Sequence, residues 1–191
     1  MIFFSHMEKS CKKTIEDDLF RYFGDRNLSV KQKFCAYFIY PETRFIIAWR
    51  KFSYYKKRNN YFFASYYKLI LVMLSHRFGF QFNYNAEIGN GVYIGHFGRV
   101  IIGAAKIGKN FNVATGCTIG AVNGKCPVIG DNVWVGTNAV IVGDIVIGDN
   151  VLISPNTFLF ESVPSNSTVR GNPAVVFPKE DATKHCIRNK V

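Results

Sequence analysis

Acidic residues are the first thing this chain lacks: 13 Asp and Glu stand against 24 Lys and Arg, for a formal net charge of +11. The deficit is local. Residues 1–80 hold 15 Lys and Arg against 6 Asp and Glu, residues 81–178 hold 5 of each, and the tail holds 4 against 2. The basicity therefore belongs to the N-terminal third, as a solvated face or as a surface for anionic lipid, nucleic acid or substrate. No nucleic-acid motif accompanies it, so nucleic acid is not expected as a partner. Metal-type cysteine spacing is also missing. Cys11, Cys35, Cys117, Cys126 and Cys186 are odd in number with no C-x-x-C pair, and no leader pattern follows Met1. We expect a reduced, cytoplasmic protein that holds no metal. Long apolar runs are absent too. Tyr61 to Ser75 spans only 15 residues with Lys68 inside it, short of the roughly 20 that cross a bilayer. What the chain does have is apolar content, 48% with 16% aromatic, enough to bury a core.

The first 79 residues read as a basic, aromatic-rich helical segment. Ile15, Leu19 and Phe23 recur at four-residue spacing, and Ser29 with Gln32 has the form of a capping box. Pro41 breaks the run. The pattern predicts a second helix from Glu42 to about Tyr55 and a third from Tyr61 to Arg77, closed by Gly79.

From Ile88 onward the rhythm changes. Aliphatic residues recur every six positions: Ile88 and Ile94, then Ile101, Ile107, Val113 and Ile119, then Ile129, Val135, Ile141, Ile147, Ile153 and Leu159. The fourth residue after each is mostly small or apolar, as at Val92, Cys117, Val133 and Val163. Neither a helix nor an alternating strand gives a period of six, whereas a three-sided β-coil does, with one short strand and one corner per hexapeptide. Twelve such repeats predict about four coils. The rhythm breaks twice, with one extra residue between Ile94 and Ile101 beside His96, and four extra between Ile119 and Ile129. Extra residues must leave the stack, and such excursions often carry function.

These residues resemble the hexapeptide-repeat acyltransferases, in particular the serine O-acetyltransferase branch and its relatives in polysaccharide gene clusters. The resemblance rests on the repeat, on Gly95-His96-Phe97-Gly98-Arg99-Val100-Ile101-Ile102-Gly103, on Thr118-Ile119-Gly120, on the Cys126-Pro127 loop, and on the close Gly171-Asn172-Pro173-Ala174. It covers residues 80–177 and implies a left-handed parallel β-helix there; with the helical segment 1–79 before it, the excursion loop at 121–127 and a basic tail at 178–191, the chain is expected to be α+β. The resemblance further implies a homotrimer with active sites between subunits, and acetyl-CoA as co-substrate.

In such enzymes a histidine takes the proton from an acceptor hydroxyl, which then attacks the acetyl thioester. The resemblance assigns that role to His96, the only histidine within the repeat; a histidine satisfied at a coil corner is the structural alternative. In the serine branch an aspartate directly precedes the histidine, and here that position is Gly95. That branch's substrate loop ends in Arg-His-Pro; here it reads Lys125-Cys126-Pro127. The aspartate that orients the histidine aligns with Gln81, which offers a hydrogen bond but no charge. For coenzyme A the family implies contacts at Ala121, Thr137 and Pro155, with Arg170 and Lys179 as the nearest cations to its phosphates. Arg99, Cys126 and Trp134 are further candidates for the acceptor groove, Trp134 being open to a subunit-packing role as well. We expect transfer of acetyl to a carbohydrate hydroxyl in surface polysaccharide assembly. Serine O-acetylation and a non-catalytic trimeric scaffold are the other readings, and peripheral contact with the anionic inner membrane surface is a further expectation for the basic segment.

Overall fold

The computed structural model describes residues 2–103 and 105–191, with side chains from Ser10 onward; Met1 and Ala104 lie outside the described residues. Four helices come first: α1 (Ile2–Phe23), α2 (Val30–Phe34), α3 (Pro41–Lys57) and α4 (Tyr61–Phe78), with a π-helical turn at Cys35–Ile39. Each boundary has a local cause. Ser29 and Gln32 form the expected capping box at the start of α2, satisfying two backbone donors that a helix start leaves open. Pro41 occupies the first turn of α3, where its missing N–H costs nothing. Gly79, at φ 80°, closes α4, because only glycine enters the left-handed region without a Cβ penalty.

The repeat region winds into a three-sided parallel β-helix. The first face stacks Phe80–Phe82, Val100–Ile102, Thr118–Gly120, Val140–Val142 and Phe158–Leu159. The second stacks Glu87–Ile88, Lys106–Ile107, Val128–Ile129 and Val146–Ile147, with Val163 bridged below Ile147. The third stacks Tyr93–Ile94, Asn112–Val113, Trp134–Val135, Val151–Ile153 and Ser167–Arg170, and ends in the antiparallel strand Val175–Pro178. The prism thus has about five coils rather than four. The extra coil comes from Phe82, which opens the first face, and from a shortened last turn. Four residues, not six, separate Leu159 from Val163, so Val163 fills the inward position of the second face and Val169 that of the third.

The six-residue count also slips at the first break. Ile102, 1% exposed, pairs with Phe82 and Ile119 and points inward, while Ile101 faces out. Eight residues therefore separate the inward Ile94 from Ile102, and five separate Ile102 from Ile107. The insertion beside His96 is two residues, repaid by one at the next corner. A one-residue change of register exchanges the two faces of a strand, which is how Ile101 left the core. Elsewhere the inward columns run as the period requires, and Cys117 is fully buried, its thiol pKa pushed up by that burial. Along the corner between the second and third faces, Asn110, Asn132, Asn150 and Asn166 all take positive φ and pass side-chain hydrogen bonds of 3.0–3.1 Å from each to the next.

The helices close the open end of this prism. Phe45 of α3 places its ring 5.0 Å from both Phe80 and Phe82, joining helices and coils in one core. Around that apolar plug, polar side chains meet the first coil's unpaired backbone. Asp18 accepts from Gly91 N and Val92 N at 2.8 and 2.9 Å. Arg50 donates to Ile88 O and Gly89 O, each at 2.6 Å, and forks onto Asp18 at 2.7 and 3.0 Å. The Tyr22 hydroxyl accepts from Ile94 N at 2.8 Å and donates to Ile94 O at 3.1 Å. Arg21 reaches Asn112 Oδ1, and burial draws its pKa down to about 10.

Candidate active site

The strand ending at Ile94 leads into the corner between the third and first faces, where the two inserted residues make the chain bulge. His96 and Phe97 are exposed on this bulge. Its backbone is held on both sides. Gly95 N donates to Val113 O at 2.8 Å, Gly98 N to Phe78 O at 3.1 Å, Val100 N to Gly79 O at 3.2 Å, and Gly116 N to Arg99 O at 2.7 Å. The end of α4 and the next coil therefore grip the turn, while the imidazole projects to solvent, and Phe97 lays its ring 6.0 Å from that of Phe78. Gly98 sits at φ 136°, and a Cβ there would collide with Thr115 Oγ1. Gly98→Ala should accordingly cost about 1–3 kcal/mol of stability. Thermal unfolding checks this; an unchanged melting temperature would refute the tight packing of the turn.

The same corner recurs in each coil below, with Asn138 N donating to Thr115 O and Asn156 N to Thr137 O. His96, Thr137 and Pro155 thus share one edge of the prism. The far end of that edge is Gly171, whose carbonyl accepts from Phe158 N at 3.2 Å. Arg170 immediately precedes it, exposed, with its guanidinium 5.8 Å from the Phe177 ring. Four of the expected residues therefore fall in line.

The others do not. Ala121, Lys125 and Cys126 stand at the opposite edge of the first face, in the excursion loop. That loop is a hairpin: Val122 and Lys125 exchange two backbone hydrogen bonds of 3.0 Å around Asn123-Gly124, both at positive φ, as a tight Asn-Gly turn requires. Lys125 is paired with Asp144 at 2.5 Å, and that hydrogen bond and charge raise its pKa. Cys126 is half-buried beside Gly103. Lys179 lies by the asparagine corner, its N–H donating to Asn166 O at 2.7 Å. Trp134 sits half-buried on the outward side of the third face, in register between Asn112 and Leu152.

Gln81 is exposed on the first face, in register with Ile101. It lines a cleft of about 870 Å³ between that face and α3–α4, together with Trp49, His76, Asn83, Arg99 and Ile101. Among the described residues no hydrogen bond joins Gln81 to His96. His76 and Asp144 are the neighbours that sequence reading missed. Nothing in the local pattern of α4 marks His76, and Asp144 meets Lys125 only because one coil separates them.

Residues 126–160 match the family model described as bacterial transferase hexapeptide, six repeats. The putative colanic acid biosynthesis acetyltransferase WcaB of Escherichia coli K12 is 34% identical over 146 residues, covering 74% of this chain and 88% of that protein. The chain belongs to the hexapeptide-repeat acetyltransferase family. Mitochondrial serine acetyltransferase 3 of Arabidopsis thaliana is 35% identical over 121 residues, 61% of this chain, which spans 31% of that longer protein. Among solved structures, the soybean serine acetyltransferase apoenzyme superposes with a TM-score of 0.75 at 25% identity, over 88% of this chain and 69% of that one. The coils are accordingly those of a left-handed β-helix, preceded by helices.

Proposed function

We propose that this acetyltransferase moves acetyl from acetyl-CoA to a carbohydrate hydroxyl in surface polysaccharide assembly, with His96 as general base. The observation that carries the reading is the exposed imidazole on a backbone gripped from both sides, at the head of an edge that also bears Thr137, Pro155 and Arg170. His96 takes the acceptor's hydroxyl proton as its oxygen attacks the thioester carbonyl. The tetrahedral adduct collapses with loss of the thiolate, which recovers that proton from the imidazolium. Pantetheine lies along the Thr137–Pro155 edge, and Arg170 meets the phosphates at its far end. In a homotrimer the hairpin edge of a neighbouring chain, with Ala121, completes the groove, and the cleft bearing Arg99 and Gln81 lies beside the acceptor.

Serine is the second reading, favoured by the serine acetyltransferases among the relatives. Against it, Gly95 stands where that branch has an acid, and Lys125 is already engaged by Asp144. Acetyl-CoA offered with serine, sugar nucleotides or glycan repeats, while thiol release is followed, is expected to give turnover on a glycan and background on serine. Comparable turnover on serine overturns the carbohydrate reading. A protein that neither binds coenzyme A calorimetrically nor releases thiol with any acceptor is a scaffold instead. The proposal extends to peripheral association with an anionic membrane, where a lipid-linked glycan would be presented.

A further inference from the structure

Between Thr43 and Ala86 the chain has no Asp or Glu, while eight Lys and Arg fall there. This stretch is chiefly the α3–α4 hairpin. α4 buries Ala64, Leu71 and Leu74. Away from that side, Phe62, Tyr66, Leu69 and Met73 are 80, 56, 61 and 63% exposed. Their spacing of four, three and four residues puts them on one helical stripe. Lys51 of α3 stands 5.3 Å from the Tyr67 ring of α4 and 6.0 Å from Tyr37 of the π-helical turn, whose Phe38 and Ile39 are also exposed. A soluble surface rarely leaves so many large apolar side chains together without a partner.

Resting on the reading that the acceptor is presented at a membrane, we propose that this face of α4 lies on an anionic bilayer surface. The helix carries Lys68, His76 and Arg77, and among the described residues no helix is long and apolar enough to cross a membrane. Its geometry suits the interface, with the rings of Phe62 and Tyr66 among the headgroups and the exposed Arg77, four residues beyond Met73 on the same stripe, toward lipid phosphates, while Lys68 is turned onto the Tyr84 ring at 5.1 Å. Charge selects this occupant over a second copy. Two such faces would bring together like charges, the hairpin's one carboxylate, Glu42, being buried at the start of α3, whereas anionic lipid supplies the missing sign.

The test is flotation of the full chain with phosphatidylcholine vesicles, with and without phosphatidylglycerol, across a salt series. Binding is expected only with the anionic vesicles and should fall as salt rises. Leu69→Ser/Met73→Ser should abolish it. Arg77→Gln should weaken partitioning about fivefold, with unchanged melting temperature. No flotation on anionic vesicles at low salt overturns the proposal. So does a Leu69→Ser/Met73→Ser protein that floats like wild type, or one whose assembly mass changes in sedimentation, since the face is then a contact between copies. Flotation is read without acetyl-CoA, so its failure leaves acetyl transfer standing, and a failed acetyl-transfer assay leaves flotation untouched.

Discussion

His96→Ala is expected to lower acetyl transfer by a factor on the order of 10² to 10⁴, the usual contribution of a positioned proton acceptor. Coenzyme A affinity should stay close to wild type, because the proposed cofactor edge at Thr137 and Pro155 lies in lower coils. Stability should change by no more than about 0.5 kcal/mol, since the side chain is exposed and the turn is held by backbone bonds from Gly95, Gly98, Val100 and Gly116. This separation of effects makes the variant informative. Thiol-release kinetics, calorimetry with coenzyme A and a melting curve on one preparation read all three. Full acetyl transfer by the variant would remove His96 from the mechanism. His96→Gln, which keeps a hydrogen-bonding group but cannot take the proton, should be nearly as slow.

The second large effect is on stability. Asp18→Ala leaves the Arg50 guanidinium buried at 7% exposure without its counter-ion, and leaves Gly91 N–H and Val92 N–H unpaired. Removing one partner of a buried ion pair costs about 3–5 kcal/mol, a large fraction of the stability of an ordinary domain. Arg50→Met added to Asp18→Ala should recover only a small part of that loss, because the unpaired charge goes while the Gly91 and Val92 amides stay unsatisfied and the Ile88 and Gly89 carbonyls lose their donors too. Denaturant midpoints of the two variants check this. A single-variant cost below about 1 kcal/mol would mean that the cap contributes little to holding the first coil.

How far the sequence announced all this depends on the range of each interaction. The prism was legible from its period, because one inward aliphatic per corner is a local rule, and Ser29, Pro41 and Gly79 marked helix ends by chemistry acting within four residues. Where the rule is interrupted, counting fails. Val100-Ile101-Ile102 offers three apolar residues in a row, and only the pairing with Phe82 and Ile119 decides that Ile102 faces in. The contraction before Val163 hid a coil for the same reason. The cap was not legible at all: Asp18 meets Gly91 and Val92 across more than seventy residues, and no spacing in the sequence encodes that. Of the candidate site, His96 stood beside an irregularity in the period, while Thr137, Pro155 and Arg170 came only from the family resemblance, and their common edge with His96 exists once the coils are wound. The Asp144 partner of Lys125, and the cleft that takes Gln81, exist only once the coils are stacked.

The two ends of the prism carry one more consequence. An uncovered coil presents a row of free backbone donors and acceptors, a template on which further strands can add without limit. Here Asp18, Arg50 and Tyr22 occupy that template at one end, and the reversed strand Val175–Pro178 turns the third face back on itself at the other. Fibre-like growth along the axis is thereby blocked, and self-association is left to the flanks.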